Sequence, residues 1–324
     1  MRLVRDLLDM PPLDSGSSLT FGTFDGVHLG HQLVIKRTVE RGREEGLFSV
    51  VISFDPHPMK FIDPDKAPPV LTVTRKKLEA MEELGVDMVV LTKLEPPLSE
   101  MSAADFVREV LVGKLKVRRV VVGPDCSFGK GGVGNVGLLR SLGSTLGFEV
   151  EVVPKQKVEG IPISSTRIRK AVLEGDLELA EMMLGRRYSV MGRVIEGDKL
   201  GRRIGYPTAN LDVGDQALPP KGVYVVLADA KGKRWGGLLN IGTRPTISGT
   251  ERRVELHLLG FEGDLYGEEV EVEFMRRLRD EIRFRSLAEL KAQIERDEKE
   301  AREILARLQR GGFYGNIVRE LEAD

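Results

Sequence analysis

The chain has 324 residues, 41% hydrophobic and 31% charged: enough apolar material for two cores, and too much for a disordered or fibrous protein. Its 49 Lys and Arg offset 50 Asp and Glu, so there is no global positive field to hold a nucleic-acid backbone. The single cysteine, Cys126, excludes an intrachain disulfide, Arg2, Arg5, Asp6 and Asp9 interrupt any leader-like start, and no run approaches the roughly 18 apolar residues of a membrane span; the expectation is a cytoplasmic protein with neither nucleic-acid nor membrane partners.

In chain order, short apolar runs predict strands at 19–24, 48–54, 88–91, 120–122 and 150–153. Stretches with 3.6-residue periodicity predict helices between them at 29–45, 75–84, 103–112 and 136–146, followed by 165–173 and 177–184. Strands apolar throughout and separated by helices imply a parallel sheet covered on both faces, a Rossmann-like α/β domain over residues 1–185. From Gly185 the pattern turns β-rich, at 188–195, 222–230, 234–241, 253–259 and 269–274. Val270-Glu271-Val272-Glu273-Phe274 alternates strictly, and no helix-length segment intervenes, so a small antiparallel barrel is expected over 186–324. A long amphipathic helix closes it at 286–308, with Ser286 and Glu289 spaced as a capping box.

The first strand runs into Asp25-Gly26-Val27-His28-Leu29-Gly30-His31 and then a helix. In an open α/β sheet, ligands sit beyond the carboxyl ends of the strands, where a helix N-terminus favours phosphate. His28 and His31, three apart on the first turn, can face one bound group. On the residues alone, two polar side chains at a helix start or a metal site also fit, although no Cys or carboxylate cluster adjoins to complete a zinc tetrahedron. Ile163-Ser164-Ser165-Thr166-Arg167 supplies hydroxyls, backbone N–H groups and a guanidinium at another helix start, an anion clamp. Gly129-Lys130-Gly131-Gly132-Val133-Gly134 resembles a phosphate loop but lacks the Ser or Thr after Gly-Lys that a Walker motif needs; it is expected to be a flexible loop at the active site.

The barrel half opens with Gly197, Lys199, Gly201, Gly205 and then Tyr206-Pro207-Thr208-Ala209-Asn210. Glycines allow close approach to an anion, and Thr208 and Asn210 offer oxygens to a hard cation, but a glycine-rich hairpin reads the same way.

Together the His-x-Gly-His and Ile-Ser-Ser-Thr-x-x-Arg segments resemble the nucleotidyltransferase superfamily, and Gly205-Tyr206-Pro207-Thr208-Ala209-Asn210 resembles riboflavin kinases. The chain is similar to the prokaryotic bifunctional riboflavin kinase/FMN adenylyltransferase family. Further blocks at 21–28, 54–58, 240–246, 254–257 and 278–281 carry the resemblance from about residue 18 to about 305. It implies two reactions. In the barrel, riboflavin would be phosphorylated by ATP with Glu255 as general base, Gly197, Lys199, Gly205 and Pro207 around the phosphates, and Mg²⁺ at Thr208 and Asn210. In the first domain, FMN would be adenylylated by a second ATP with release of pyrophosphate. There His28 and His31 would stabilise the transition state, with Gly22, Phe24, Asp25, Gly30, Ser164, Ser165, Thr166 and Arg167 around the nucleotide. Phe54, Pro56, His57, Pro58, Asp125, Phe128 and Arg279 would line the flavin sides.

The loop at 123–135 departs from the family pattern: Cys126 stands for an aromatic, Ser127 for a longer side chain and Asn135 for Asp. Lost stacking would weaken flavin binding by about 1 kcal/mol, and both activities are still expected. A chain in which only the kinase turns over, a flavin-binding regulator without turnover, and a nucleotidyltransferase for another phosphorylated substrate are the alternatives. The second does not need Glu255, Thr208, Asn210, His28 and His31.

Overall fold

The computed structural model describes residues 1–197, 205–246 and 249–310. Contacts divide the chain into two units, Met1–Ser165 and Thr166–Asp324.

The first unit is built on six parallel strands: β1 (Arg2–Arg5), β2 (Ser17–Phe21), β3 (Phe48–Phe54), β4 (Met88–Thr92), β5 (Val117–Val122) and β6 (Glu149–Val152). Their order is β1-β4-β3-β2-β5-β6. Helices fill both faces. α1 (Leu29–Glu45) follows β2; α2 (Met59–Ile62) and α3 (Thr74–Glu83) follow β3. α4 (Ala103–Asp105) continues into a widened helical stretch at Phe106–Lys114, and α5 (Val136–Leu146) follows β5.

Alternation along the strands divides the core. Val50 and Ile52 join Leu19, Val90, Phe106 and Leu139 on one face, whereas Val51 and Val89 join Ile35, Val39 and Met81 under α1 and α3 on the other. That double burial is why Val50, Val51 and Ile52 of β3 and Met88 to Leu91 of β4 are apolar at consecutive positions. The chain winds outward from β2 through β3 to β4 in one direction and from β5 to β6 in the other, so the switch point lies between the carboxyl ends of β2 and β5.

Two differences from the sequence reading have clear causes. β2 stops at Phe21 rather than 24 because Phe24 is left-handed, with φ 51°. β1 carries Arg2 and Arg5 at the sheet edge, where one flank is open and an apolar run is not required. The glycine-rich loop expected to be flexible is pinned: Phe128 and Gly134 form a β-bridge, and the Lys130 N–H donates to the Met101 carbonyl at 2.9 Å.

The second unit begins with α6 (Ser165–Glu174), which extends from the last residue of the first, and α7 (Leu177–Leu184). The barrel follows: β9 (Ser189–Ile195), β10 (Ala209–Asp212), β11 (Gly222–Ala230), β12 (Lys233–Thr246), β13 (Gly249–Leu258) and β14 (Glu269–Arg279). A two-stranded pair, β7 (Lys157–Val158) with β8 (Ile161–Pro162), belongs to the first unit. The six barrel strands close antiparallel in the order β10-β13-β12-β11-β14-β9. Tyr224 stacks edge-on against Phe274 at 5.4 Å, and Tyr188 lies parallel to Phe274 at 6.1 Å.

β11 is apolar on both faces because its other side is covered. Val223 and Val225 meet Ala301 and Ile304 of the terminal helix α8 (Leu287–Arg310). The Glu289 N–H donates to Ser286 Oγ at 3.2 Å, and Glu289 accepts the Arg285 N–H at 2.9 Å, so the capping residues work in both directions. α8 is tied to β14 by Arg279, whose guanidinium grips Asp297 through Nε and Nη2 at 2.7–3.1 Å. Gln293 adds a third donor at 2.7 Å.

Candidate active sites

The turn after β2 is strained where it meets α1. Phe24, Gly26 and Val27 all have positive φ (51°, 86° and 39°), and both non-glycine side chains are buried. Each such residue costs on the order of 1–3 kcal/mol, which the surroundings must offset. Asp25 supplies part of the restraint. Its carboxylate accepts the N–H groups of Leu71 at 2.9 Å and Thr72 at 3.2 Å, and its carbonyl accepts the Ser165 hydroxyl at 2.8 Å.

This geometry sets the histidines. His28 caps α1: its Nδ1 accepts the His31 N–H at 3.2 Å, which places the proton of the neutral ring on Nε2. The two rings stack with centroids 3.5 Å apart and planes 16° apart, and Phe24 meets His31 edge-on at 5.2 Å. A Cβ at Gly30 would sit 3.2 Å from the His28 ring, so the glycine lets the ring pack close to the backbone. Burial holds His31 well below the ordinary imidazole range, and His28 and Lys77 push it the same way. Its Nδ1 is buried without a hydrogen-bond partner among the described residues, an unfilled polar valence at this turn.

Loops from the neighbouring strands flank the turn. Beyond β3 come Phe54, Asp55, Pro56, His57 and Pro58; the His57 Nδ1 accepts the Met59 N–H at 3.1 Å, fixing the ring at the start of α2. Beyond β5 come Asp125 and Phe128. Asp125 pairs with Lys155. Phe128 is a core residue, 5.5 Å from Phe21 and 5.9 Å from Phe106. Cys126 is half-buried against the same cluster, its thiol pushed up to about 12 by burial. Asn135 caps α5 by accepting the Leu138 N–H at 3.1 Å, a function its amide oxygen performs as a carboxylate would. Gly22 donates to the Ile52 carbonyl at 3.1 Å. Ser164 and Ser165 stand at the start of α6, with Thr166 and Arg167 in its first turn.

Sequence reasoning missed Lys77. It is 5% exposed, and its ammonium donates to the Phe54 carbonyl at 2.8 Å and the Thr23 carbonyl at 3.4 Å, tying together the ends of β3 and β2. Burial lowers its pKa against the pull of Asp55 and Asp25. The signal was present: Lys77, Met81 and Leu84 fall at i, i+4 and i+7, so a lysine occupies the apolar stripe of α3.

In the barrel, register builds the second site. Glu255 pairs with Asn210 on one side and Asn240 on the other, so the three side chains share one row across β10, β13 and β12. Flanking Val254 and Leu256 are buried in the barrel, which puts Glu255 on its outer face. Gly197 lies against this row, where a Cβ would overlap the Asn210 amide. The carboxylate of Glu281 lies over Gly242, next in register to Arg253. Gly205 is left-handed, with φ 85°, immediately before the Tyr206–Asn210 segment. Lys199 lies outside the described residues.

Two further side chains hold the site, and sequence reasoning passed over both. Arg253 donates through Nε to Asn210 Oδ1 at 3.0 Å and through Nη2 to Glu255 Oε1 at 3.0 Å. The His257 Nδ1 bonds the Pro207 carbonyl at 2.8 Å, and its ring meets Tyr206 edge-on at 5.6 Å. Alternation along β13 puts residues 253, 255 and 257 on one face, but nothing in it says which strand they meet. A cavity of about 350 Å³ opens beside Thr208, walled by Val194, Pro207, Leu256, Phe261 and Tyr266.

Thr208 and Asn210 suit a hard cation only in part. They offer neutral oxygens, and among the described residues no group of three His, Cys, Asp or Glu could hold a metal. An Mg²⁺ here would therefore take most of its oxygens from nucleotide phosphates, as this ion commonly does. Arg279, its guanidinium held by Asp297, forms the wall between β14 and α8.

A helix-start turn at the switch point of a parallel sheet, followed in the chain by a barrel with a carboxylate–amide row, suits an ATP-dependent transferase with two catalytic units. Family models agree with that class: FAD synthetase matches residues 10–167 and riboflavin kinase matches 184–305. The bifunctional riboflavin kinase/FMN adenylyltransferase of Escherichia coli (strain K12) is 42% identical over 306 residues, 94% of this chain and 97% of that one. The enzyme of the same description from Pseudomonas fluorescens is 42% identical over 307 residues, 94% of this chain and 98% of that one. Among solved structures, a Streptococcus pneumoniae protein described as a macrolide-efflux protein superposes with a TM-score of 0.82 at 29% identity, covering 93% of this chain and 99% of that one. No described helix here is long and apolar enough to cross a membrane.

The chain belongs to the bifunctional riboflavin kinase/FMN adenylyltransferase family. Its C-terminal domain phosphorylates riboflavin to FMN, and its N-terminal domain adenylylates FMN to FAD, with ATP as co-substrate in each reaction.

Proposed function

We propose that Glu255 is the general base of the kinase and that His28 and His31 are the charge-stabilising pair of the adenylyltransferase. The observation that carries the kinase assignment is the Asn210–Glu255–Asn240 row, which puts a proton acceptor beside the amide of the Thr208–Asn210 segment. Glu255 takes the proton of the riboflavin 5′-hydroxyl as its oxygen attacks the γ-phosphorus of ATP, and ADP departs. Thr208 and Asn210 would hold Mg²⁺, which would neutralise charge on the nucleotide phosphates. The cavity beside Thr208 has the apolar and aromatic walls that suit a purine base; Gly197, Lys199, Gly205 and Pro207 are assigned to the phosphates on their motif.

In the first domain, an FMN phosphate oxygen attacks the α-phosphorus of ATP and pyrophosphate leaves. The His28 Nε2–H and the neutral His31 ring donate to the phosphate oxygens as their charge redistributes. Burial keeps His31 neutral, so it enters the reaction as a hydrogen-bond donor rather than an acid. Gly22, Phe24 and Asp25 shape the turn from behind, and Ser164 and Ser165 offer backbone N–H groups at the start of α6. Thr166 and Arg167 are assigned to the phosphates on their motif. FMN lies with its ring system toward Phe54–Pro58 and Asp125–Phe128, the loops that flank the turn in strand order β3-β2-β5. Arg279 contributes to the riboflavin side of the kinase as the wall it makes with α8.

We place the adenylyltransferase in residues 1–185 and the kinase in 186–324, supported by family matches that end at 167 and resume at 184. Both are assigned to the cytoplasm, acting on small molecules without nucleic-acid or membrane partners. The test is a time course of riboflavin, ATP and Mg²⁺ with flavins separated by chromatography. FMN rises first and FAD follows; Glu255→Gln stops at riboflavin, and His28→Ala stops at FMN. FMN formation unchanged in Glu255→Gln overturns the base assignment.

A further inference from the structure

Arg253 bonds both Asn210 and Glu255. Its Nε–H occupies the oxygen of Asn210 that a cation would need, and its Nη2 sits 3.0 Å from a carboxylate oxygen of Glu255. The guanidinium is anchored by register: β13 pairs with β10 only at Ala209↔Leu256 and Asn210↔Glu255, and Arg253 lies two residues beyond that short ladder. It reaches back along the outer face of the barrel to bridge the row.

A guanidinium and a divalent ion cannot share this oxygen without a positive charge facing a positive charge at short range. We propose that Arg253 is a positioning residue that serves as a stand-in cation in the kinase site. In the nucleotide-free enzyme it holds Asn210 and Glu255 in their working places and keeps a bare divalent ion off Asn210, and it yields that oxygen when metal arrives with ATP. The phosphates bring four negative charges, enough to reverse the electrostatic balance that excludes the ion alone and to give the displaced guanidinium an anionic partner. Metal loading thereby becomes conditional on nucleotide. The inference builds on the placement of Mg²⁺ at Thr208 and Asn210 proposed above.

The experiment titrates the full-length chain with Mn²⁺ in the absence of nucleotide, reading free Mn²⁺ by electron paramagnetic resonance. Arg253→Met should bind Mn²⁺ about tenfold more tightly than the unaltered chain, the scale on which one nearby charge shifts an ionic equilibrium. The gain should vanish in Arg253→Met/Asn210→Ala, because the oxygen it exposes is then gone. FAD formation from supplied FMN, carried by the other domain, should be unchanged and so reports that the chain is folded. Arg253→Gln, neutral and polar, carries the same expectation if Arg253→Met does not fold. Equal Mn²⁺ affinity in the folded variant and the unaltered chain overturns the proposal, as does a gain that survives removal of Asn210. If Asn210→Ala leaves the Mg·ATP requirement of FMN formation unchanged, the metal placement fails. If that requirement rises and Arg253→Met shows no gain, Arg253 alone fails.

Discussion

The turn after β2 and the outer face of the barrel, the two places proposed to serve ATP, are built from different materials. At the turn, the backbone is the working part: three left-handed residues in four positions, a buried capping imidazole and a half-buried second ring stacked on it, latched by Asp25 and Lys77. On the barrel, the backbone is regular ladder and the side chains do the selecting, half-exposed in one row and held by Arg253 and His257. Adenylyl transfer asks chiefly for charge stabilisation at fixed positions, which a rigid buried turn supplies. Phosphorylation of a hydroxyl also requires a proton acceptor open to solvent and substrate, which suits a strand face.

The comparison breaks most visibly if each half is disabled alone. Glu255→Gln is expected to reduce FMN formation about 10²–10⁴-fold, the range of lost general base catalysis, with FAD formation from supplied FMN intact; steady-state rates of the two half-reactions check both. Removing His28 should cost FAD formation about 10²–10³-fold and leave FMN formation alone. In the barrel unit, Asp297→Ala strands a mostly buried Arg279 without its counter-charge, for a loss of about 3–5 kcal/mol measured by denaturant unfolding. Asp25→Asn weakens the latch on Leu71 and Thr72 and should cost about 1–3 kcal/mol in the first unit. The smallest effect is on pH. Because folding depresses the His31 pKa, the unfolded chain binds a proton that the folded one refuses as pH falls through about 6.5. Stability of the first unit should therefore decline from pH 7.5 to pH 5.5, and His31→Gln should flatten that slope in denaturant titrations.

How far these parts were legible depends on what each one reports to the sequence. Interior strands such as β3 and β4 announce themselves because both faces are buried, and the motif glycines and histidines mark the turn. β1 and β10 do not: one is a charged edge, and the other is four residues inside a segment whose motif reads as a loop. Arg253 was invisible because pairing register, not local pattern, decides that it meets Asn210. Lys77 broke its helix's apolar stripe, and that violation was its signature. Asn135 is the converse, a departure from the family pattern that the fold absorbs as an ordinary helix cap.

The barrel closes through its shortest stave. β10 contributes four residues, joins β13 by two register pairs and β9 by three, and carries Asn210 at the seam. On the proposed assignment, Mg·ATP held at Thr208 and Asn210 with riboflavin at Glu255 would act as a clasp across this short joint of the cylinder. Substrate should raise the unfolding temperature of this unit in proportion to the logarithm of its concentration.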